Sequence, residues 1–437
     1  MSTDPLLQPY RLKHLTLRNR IMTTSHEPAY TEDGMPKDRY RLYHLERAKA
    51  GVAMVMTAGS ASVSRDSPPA FGNVLVWKDE VVPWMRRLAD DCHEAGAAVM
   101  IQISHLGRRT RWDKGDWLPV VAPGPSREPA HRAFPKIIED WDIARIIADY
   151  ADAAERMQAA GLDGVEFECY GHLMDQFISA LTNGMAPGPY DASSLDNRLR
   201  FATQVLQACR DRVGPNFLLG VRYVADEDEA GGIPVDEGVE LARRFRDAGL
   251  ADFVNIIRGR IHTDAALTGV IPIQGMRSAP HLDLAGRIRA EIGLPTFHAA
   301  RIPDVATARH AVAEGILDMV GMTRAHMADP ISCKKSSRAA STTSAPASAP
   351  PTASTASTRA AWRSASTTPP PGAKPRCPTA SPPRRSPAKS SSSAPAPPAW
   401  KPPASPPNAA TPSPCSRSQT SPAARSASPP CRNAGPR

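Results

Sequence analysis

The side chains of this 437-residue chain that could do chemistry recur in one kind of place, the end of a short apolar run. RIMTTSH ends in Thr23, Thr24 and His26, and VAMVMTAG in Ala58 and Gly59. AAVMIQISH carries Gln102 and His105, and GVEFECYGH carries Glu168, Tyr170 and His172. NFLLGVRY bears Arg222, DFVNIIR ends in Arg258, PTFHAAR in Arg301, and LDMVGMTR in Thr323 and Arg324. One polar group at such an end can simply solvate a rim. A hydrogen-bonding or cationic group at nearly every end suits a ligand that is planar, polar and phosphorylated. Arg301 and Arg324 offer forked donors that match a phosphate, with backbone N–H groups to assist. Arg222 is suited to an electron-rich ring edge.

Something must bring these ends together. There are eight runs: 20–25, 52–59, 97–104, 164–168, 216–223, 252–257, 295–299 and 317–322. Most are apolar throughout, as strands buried on both faces are. Amphipathic stretches lie between them. In HLDLAGRIRAEIG, Leu284, Ile288 and Ile292 form a helical stripe that Gly293 stops. In PDVATARHAVAEG, Pro303 suits a first helical turn and Gly315 an end. Eight strand–helix units without a second core predict an α/β fold, a single (β/α)8 TIM barrel over residues 1–330. A doubly wound sheet is the alternative, but there is no glycine-rich first turn. A barrel puts function at the C-terminal strand ends, where the polar residues are.

Charge divides the chain. Residues 1–330 hold all 44 acids and 38 of the 53 Lys+Arg, a net charge of −6. Residues 331–437 hold 15 basic residues and no acid, with about half of the 45 prolines. The overall +9 therefore belongs to a Pro/Ala/Ser-rich, disordered low-complexity tail and does not mark a nucleic-acid-binding enzyme. Cys92, Cys169 and Cys209 are scattered, with no metal spacing, as in a reduced cytoplasmic protein. No run is long enough to span a membrane or serve as a signal peptide.

LTLRNRIMTTSH, IQISHLGRR, YGHLMDQF, SSLDNRLRF and DMVGMTRAHMADP resemble the FMN-dependent old yellow enzyme family. The likeness is to its amine-oxidising branch, with trimethylamine dehydrogenase and the N-methyl amino acid demethylases. It covers nearly all of residues 5–330 and implies an FMN barrel. Carried over by motif, Thr23 and Thr24 would lie along the isoalloxazine, with Ala58 and Gln102 near its pyrimidine edge. Arg222 would face the edge where charge gathers on reduction. Arg301, Gly321 and Arg324 would hold the phosphate. The covalent branch member has a cysteine after strand one. Glu27 stands there in this chain, which implies non-covalent FMN.

Ene-reductases of the family grip a carbonyl with paired side chains after strand four. Here Tyr170 stands in the usual histidine position and His172 follows two residues on, which favours an amine. Tyr170 and His172 are thus the catalytic candidates. Asp264 falls where this branch carries an acid and would orient His172, pair with a substrate ammonium, or be a solvated loop acid. Arg258 would take a substrate carboxylate or make a rim salt bridge. Trp77, Trp112 and Trp117 would wall a cationic amine or pack a core or lid. His105 reads chiefly as a packed histidine. The expected reaction is oxidative N-demethylation of a small methylated amine or amino acid. A redox partner or NAD(P)H would complete it, and a homo-oligomer is compatible. An NAD(P)H-dependent enoate or 2,4-dienoyl-CoA reductase is the alternative enzyme. An inactive product whose tail binds polyanions is the alternative without enzymatic function.

The tail admits a second reading. Take its nucleotides one position earlier, so that each codon begins with the last base of its predecessor. KSSSSAPAPPAWKPPA then permits V-V-V-V-G-A-G-P-A-G-L-E-A-A, a strand, a G-x-G-x-x-G turn and a helix start. SAPASAPPTASTAST permits a segment with two cysteines, like the stretch after the barrel that carries a 4Fe-4S iron-sulfur cluster in this branch. ISCKKSS permits H-I-V-Q-K-I-V, as relatives continue. One lost nucleotide near Pro330 would make residues 331–437 an out-of-frame translation of an iron-sulfur segment and a second dinucleotide domain. The chain as written would then lack an apolar stripe for its eighth barrel helix, in SCKKSSRAASTTS.

Overall fold

The computed structural model describes residues 4–110, 118–130 and 134–337, with side chains to residue 334. All eight runs form strands. They are β1 (Ile21–Thr23), β2 (Met54–Ser62), β3 (Ala98–Ser104), β4 (Gly164–Cys169), β5 (Leu218–Asp226), β6 (Phe253–Arg258), β7 (Thr296–His298) and β8 (Met319–Gly321). Neighbours pair in parallel, and β8 returns to β1 through Val320 opposite Ile21, which closes the barrel. β2 runs past its expected end. Ala58 and Ser60 take φ of 54° and 65°, and the register with β3 shifts between Thr57 and Ala61. Such a bulge bends a strand and re-aims the side chains at its end.

Side chains alternate along a strand, so every second residue enters the barrel. The floor is apolar: Met22, Met54, Met100, Phe253, Phe297 and Met319 cluster with Leu12 and Leu17. Those two leucines come from a hairpin, Tyr10–Leu12 paired with Leu15–Leu17, that plugs the bottom. Phe253 and Phe297 stack at 4.3 Å between centroids. Gly220 makes room for them, because a Cβ there would lie 2.0 Å from the Phe253 ring. Above the floor is a polar layer. Glu166 Oε1 accepts from Gln102 Nε2 at 2.8 Å and Ser25 Oγ at 3.1 Å, and Oε2 accepts from Asn255 Nδ2 at 2.8 Å. Burial pushes the Glu166 carboxyl up, while the charge of Arg222 and these bonds oppose it.

The surrounding helices bury one face each. Leu282–Ile292 buries Leu282, Ala285, Ile288 and Ile292, and Gly293 ends it at φ 68°. Leu284 is only partly buried, so the stripe runs one residue to the side of the expected one. In Val305–Ala313, Asp304 caps the helix by accepting from Thr307 N at 2.8 Å, and Pro303 precedes the cap instead of opening the first turn. No helix among the described residues is long and apolar enough to cross a membrane. After β8 the chain forms Thr323–Ala328 and then a short helix, Ser332–Ser337. Ser332 and Cys333 are buried, with Cys333 Sγ 3.6 Å from His326 Nε2, while Ile331 is exposed. The tail from residue 338 lies outside the described residues, as do Trp112 and Trp117.

Candidate functional site

The C-terminal strand ends enclose a cavity of about 300 Å3. At one end are Arg301 and Arg324. Arg301 follows β7 with Ala300, at φ of 52° and 126°, a backbone conformation costly for residues with side chains. Arg301 Nε donates to Met276 O at 2.9 Å and Arg324 Nη1 to Pro272 O at 2.8 Å. Among the described residues neither forms an ion pair with a carboxylate. Burial lowers the Arg324 pKa, and the like charge of Arg301 adds to that. Two cations held together without an acid make an anion site. Gly321 borders it. A Cβ there would come 2.4 Å from Thr24 Cγ2 and 2.8 Å from Ala299 Cβ. Thr24 is itself tied to Thr323, N to Oγ1 at 2.8 Å and Oγ1 to Oγ1 at 2.7 Å.

The middle of the cavity belongs to Arg222. Its Nη1 donates to Ser25 Oγ at 2.7 Å, and its guanidinium carbon lies 5.2 Å from the Tyr170 ring centroid. Several buried atoms here have no partner: Thr23 Oγ1, Arg222 Nε and His298 Nε2. His298 Nδ1 meets Ile256 O at 2.9 Å, so it carries the proton and leaves Nε2 as an acceptor. Burial pushes the His298 pKa down to about 3, which keeps the ring neutral.

The other end holds Glu168, Tyr170, His172 and Arg109, facing an apolar wall that includes Ile257, Ile261 and Leu267. His172 Nδ1 lies 2.8 Å from Glu168 Oε2 and 3.0 Å from Ser104 Oγ. Burial pushes the Glu168 carboxyl up, but the His172 imidazole beside it outweighs this and holds it below its ordinary value. Ser104 Oγ is the hydrogen-bond partner of His172 Nδ1, and Glu168 Oε2 makes a close ionic contact with the same nitrogen. Tyr170 stacks on His172 with centroids 6.2 Å apart. Burial, then Glu168, push its phenol well up, so it stays protonated.

Seven sequence candidates line the cavity: Thr24, Tyr170, His172, Arg222, Arg301, Gly321 and Arg324. Thr23 is buried beneath. Ala58 and Gln102 do not reach the wall; Ala58 N donates to Tyr40 Oη at 2.8 Å, and Gln102 is used by Glu166 and Ser60. Three candidates stand elsewhere. Asp264 is exposed in the first turn of Asp264–Val270, and Glu168 takes the place expected for it beside His172. The reason is local: four residues along one chain bring Glu168 and His172 together without help from another loop. Arg258 is held by Asp226 at 2.9 Å and Asp228 at 3.1 Å, the rim salt-bridge alternative. Trp77 packs against the core, with Lys78 over its ring. His105 is buried with Nε2 3.0 Å from Asp66 Oδ1 and does not line the cavity. Sequence reasoning missed Ser25, Ser60, Phe71, Arg109 and His298 as lining residues. For His298 the signal was present, a histidine ending an apolar run; for Arg109 there was none beyond its neighbour Arg108.

A closed parallel barrel with an acid-free anion site and an arginine beneath an aromatic ring defines a barrel for a phosphorylated, ring-bearing cofactor. The chain belongs to the NADH:flavin oxidoreductase / NADH oxidase family, whose model matches residues 5–340. A probable N-methylproline demethylase of Rhizobium meliloti (strain 1021) is 67% identical over 335 residues, 77% of this chain and 49% of the relative. A multifunctional alkene reductase/demethylase of Caballeronia cordobensis is 46% identical over 330 residues, 75% of this chain and 48% of the relative. The structure of a 2-naphthoyl-CoA reductase in complex with 2-naphthoyl-CoA aligns with a TM-score of 0.72 and 25% identity, covering 79% of this chain and 54% of that one. The chain spans about half the length of the curated relatives it matches.

The family implies FMN, and the residues fit it. Arg301 and Arg324 would suit its phosphate, a Cβ at Gly321 would fill the cradle, and among the described residues Thr23 Oγ1, Arg222 Nε and His298 Nε2 are buried polar atoms that a ring with polar edges could satisfy.

Proposed function

We propose that the barrel binds FMN non-covalently and removes the N-methyl group of a small methylated amino acid by oxidation. When bound, FMN supplies a two-electron acceptor. The chain's own residues do the rest. Arg301 and Arg324 would neutralise the phosphate, and Thr23 and Thr24 would border the ring. Arg222, held by Ser25 at 2.7 Å, would supply positive charge to the edge of a ring that gains electrons. His172 Nε2 would take the proton from the substrate ammonium and free the nitrogen lone pair. Hydride then leaves the methyl carbon, and water adds to the resulting iminium to release formaldehyde and the secondary amine. Tyr170 orients the amine, and the apolar wall of Ile257, Ile261 and Leu267 excludes water until hydride has left.

The observation that carries this reading is the buried His172, 2.8 Å from Glu168 and beside Tyr170 on the cavity wall. The 67% identity to a probable N-methylproline demethylase supports it. Anaerobic addition of N-methylproline should bleach the flavin absorption, with one formaldehyde per flavin reduced. A second reading, alkene reduction, takes support from the printed name of the 46% relative. In that case NAD(P)H alone would bleach the flavin, and an activated alkene would restore it.

Residues 331–437 enter the proposal as an out-of-frame segment. Relatives more than half again as long as this chain, matched over about half their own length, support that view. The iron-sulfur cluster and second dinucleotide site would belong to the in-frame protein.

A further inference from the structure

We propose that Arg109 takes the carboxylate of the substrate, and that the site thereby selects N-methyl amino acids over simple methylamines. The inference rests on the demethylase reading above and supplies the anchor it lacks. Arg258 cannot serve, since two aspartates hold it outside the cavity. Four arginines line the cavity: Arg109, Arg222, Arg301 and Arg324. Arg301 and Arg324 converge on the anion site, and Arg222 sits beneath Tyr170. Arg109 remains, among the described residues, as the cation at the amine end.

Its setting suits a carboxylate. Arg109 is only 5% exposed, so its charge is largely stripped of water. Nη1 donates to Glu128 Oε1 at 3.1 Å, which fixes the plane of the fork from one corner. Burial lowers the Arg109 pKa and Glu128 opposes this only in part, so a further anion on the fork would be favourable. Glu168 is close enough for its charge to act on it, and Tyr170 lies nearby. Gly171 gives it access. A Cβ there would lie 2.2 Å from Ile261 Cδ1, forcing it aside, and 3.7 Å from Arg109 Cδ, in ordinary contact, so Gly171 places the backbone next to the arginine. An α-amino acid separates its nitrogen from its carboxylate by a single carbon. A carboxylate on Arg109 would therefore hold the nitrogen close to Tyr170 and His172. A methylamine without a carboxylate has no such tether, and its entry leaves the fork unmatched.

The test compares the 437-residue holoprotein with R109Q and R109K, on N-methylproline and on N-methylpyrrolidine, which lacks the carboxylate. The kcat/KM ratio of the two substrates should fall about 100-fold in R109Q, chiefly through the KM of N-methylproline, and recover in part in R109K. An equal loss on both substrates in R109Q would make Arg109 a structural partner of Glu128 and overturn the proposal. If R109Q does not fold, the wild type decides through its binding of proline and pyrrolidine, followed by perturbation of the flavin spectrum. Proline should bind at least tenfold more tightly, and equal binding overturns the proposal. The same titration stands if neither N-methyl substrate bleaches the flavin. In that event the demethylase reading fails, while carboxylate selection by Arg109 is still decided.

Discussion

His172 Nδ1 meets Glu168 Oε2 at 2.8 Å, two buried groups four residues apart at the end of β4. The carboxylate sets the tautomer of the ring, and the tautomer decides which nitrogen faces chemistry. E168Q keeps the shape but can present an amide N–H to Nδ1, which then becomes the acceptor and puts the proton on Nε2. We expect kcat on N-methylproline to fall about 100-fold with little change in flavin content. The pH profile should also lose its low-pH limb, because the base is no longer available. An unchanged pH profile would remove His172 from the proton path.

Gly321 is a cleaner probe of the cofactor site, because it contributes no side-chain chemistry. A Cβ there must displace Thr24 or Ala299, and Thr24 is tied to Thr323. G321A should weaken FMN binding about 100-fold, read by equilibrium dialysis. The apoprotein should melt within a few degrees of wild type, since the crowding lies at the mouth of the barrel and not in its floor.

Arg324 separates phosphate from ring recognition. R324A should weaken FMN by roughly 2 kcal/mol, the scale of a charge-assisted hydrogen bond, and leave riboflavin binding nearly unchanged. Equal losses for the two ligands would move the phosphate elsewhere.

His326 carries a pH signature in stability. Burial, then the nearby charge of Arg47, push its pKa down to about 3, against an ordinary value near 6.5 in the unfolded chain. Between those values the unfolded state binds more protons, so stability from this group is complete above about pH 6.5 and drains as pH falls. Glu27 and Asp175 act in the opposite sense, since burial raises both carboxyls, so the wild-type profile alone mixes the two. Comparison with H326Q isolates the imidazole. The stability gap between wild type and variant should narrow by about 2 kcal/mol from pH 6.5 to pH 5. A constant gap across that range would mean that the ring titrates normally in the fold.

The strands were legible because a barrel strand buries both faces and so reads as an unbroken apolar run, and all eight were placed within a few residues. That Arg222, Arg301 and Arg324 line the cavity was legible for the same reason, as cations at the ends of such runs. What stayed hidden depends on distance through space. Nothing in the sequence tells that Asp226 and Asp228 will occupy Arg258, or that Glu168 will reach His172 before Asp264 can. Arg109 was hidden because it lies in a loop, where no periodicity says which way a side chain turns. The polar layer was half visible: two glutamates alternate in GVEFEC, but the partners of Glu166 come from two other strands and from Ser25 just past β1.

The reading frame is the remaining prediction, and the barrel sharpens it. A helix after β8 must cover the groove between β8 and β1. The chain supplies Ser332–Ser337, in which Cys333 is buried against His326 near Gly51, while Ile331 beside it is exposed. The earlier frame permits H-I-V-Q-K-I-V over the same codons, which would put branched apolar side chains where the written helix offers a thiol. Resequencing across codons 325–340 should reveal one additional nucleotide near Pro330. A chain translated in that frame should hold FMN more tightly and melt at least 5 °C higher, because a buried Ile or Val side chain contributes about 1.5–3 kcal/mol. If the nucleotides stand as written, Cys333 is the buried apolar side chain that the described part of this helix brings to that seam. C333S should then destabilise it measurably, whereas the same change in a wild type with a full eighth helix has no counterpart.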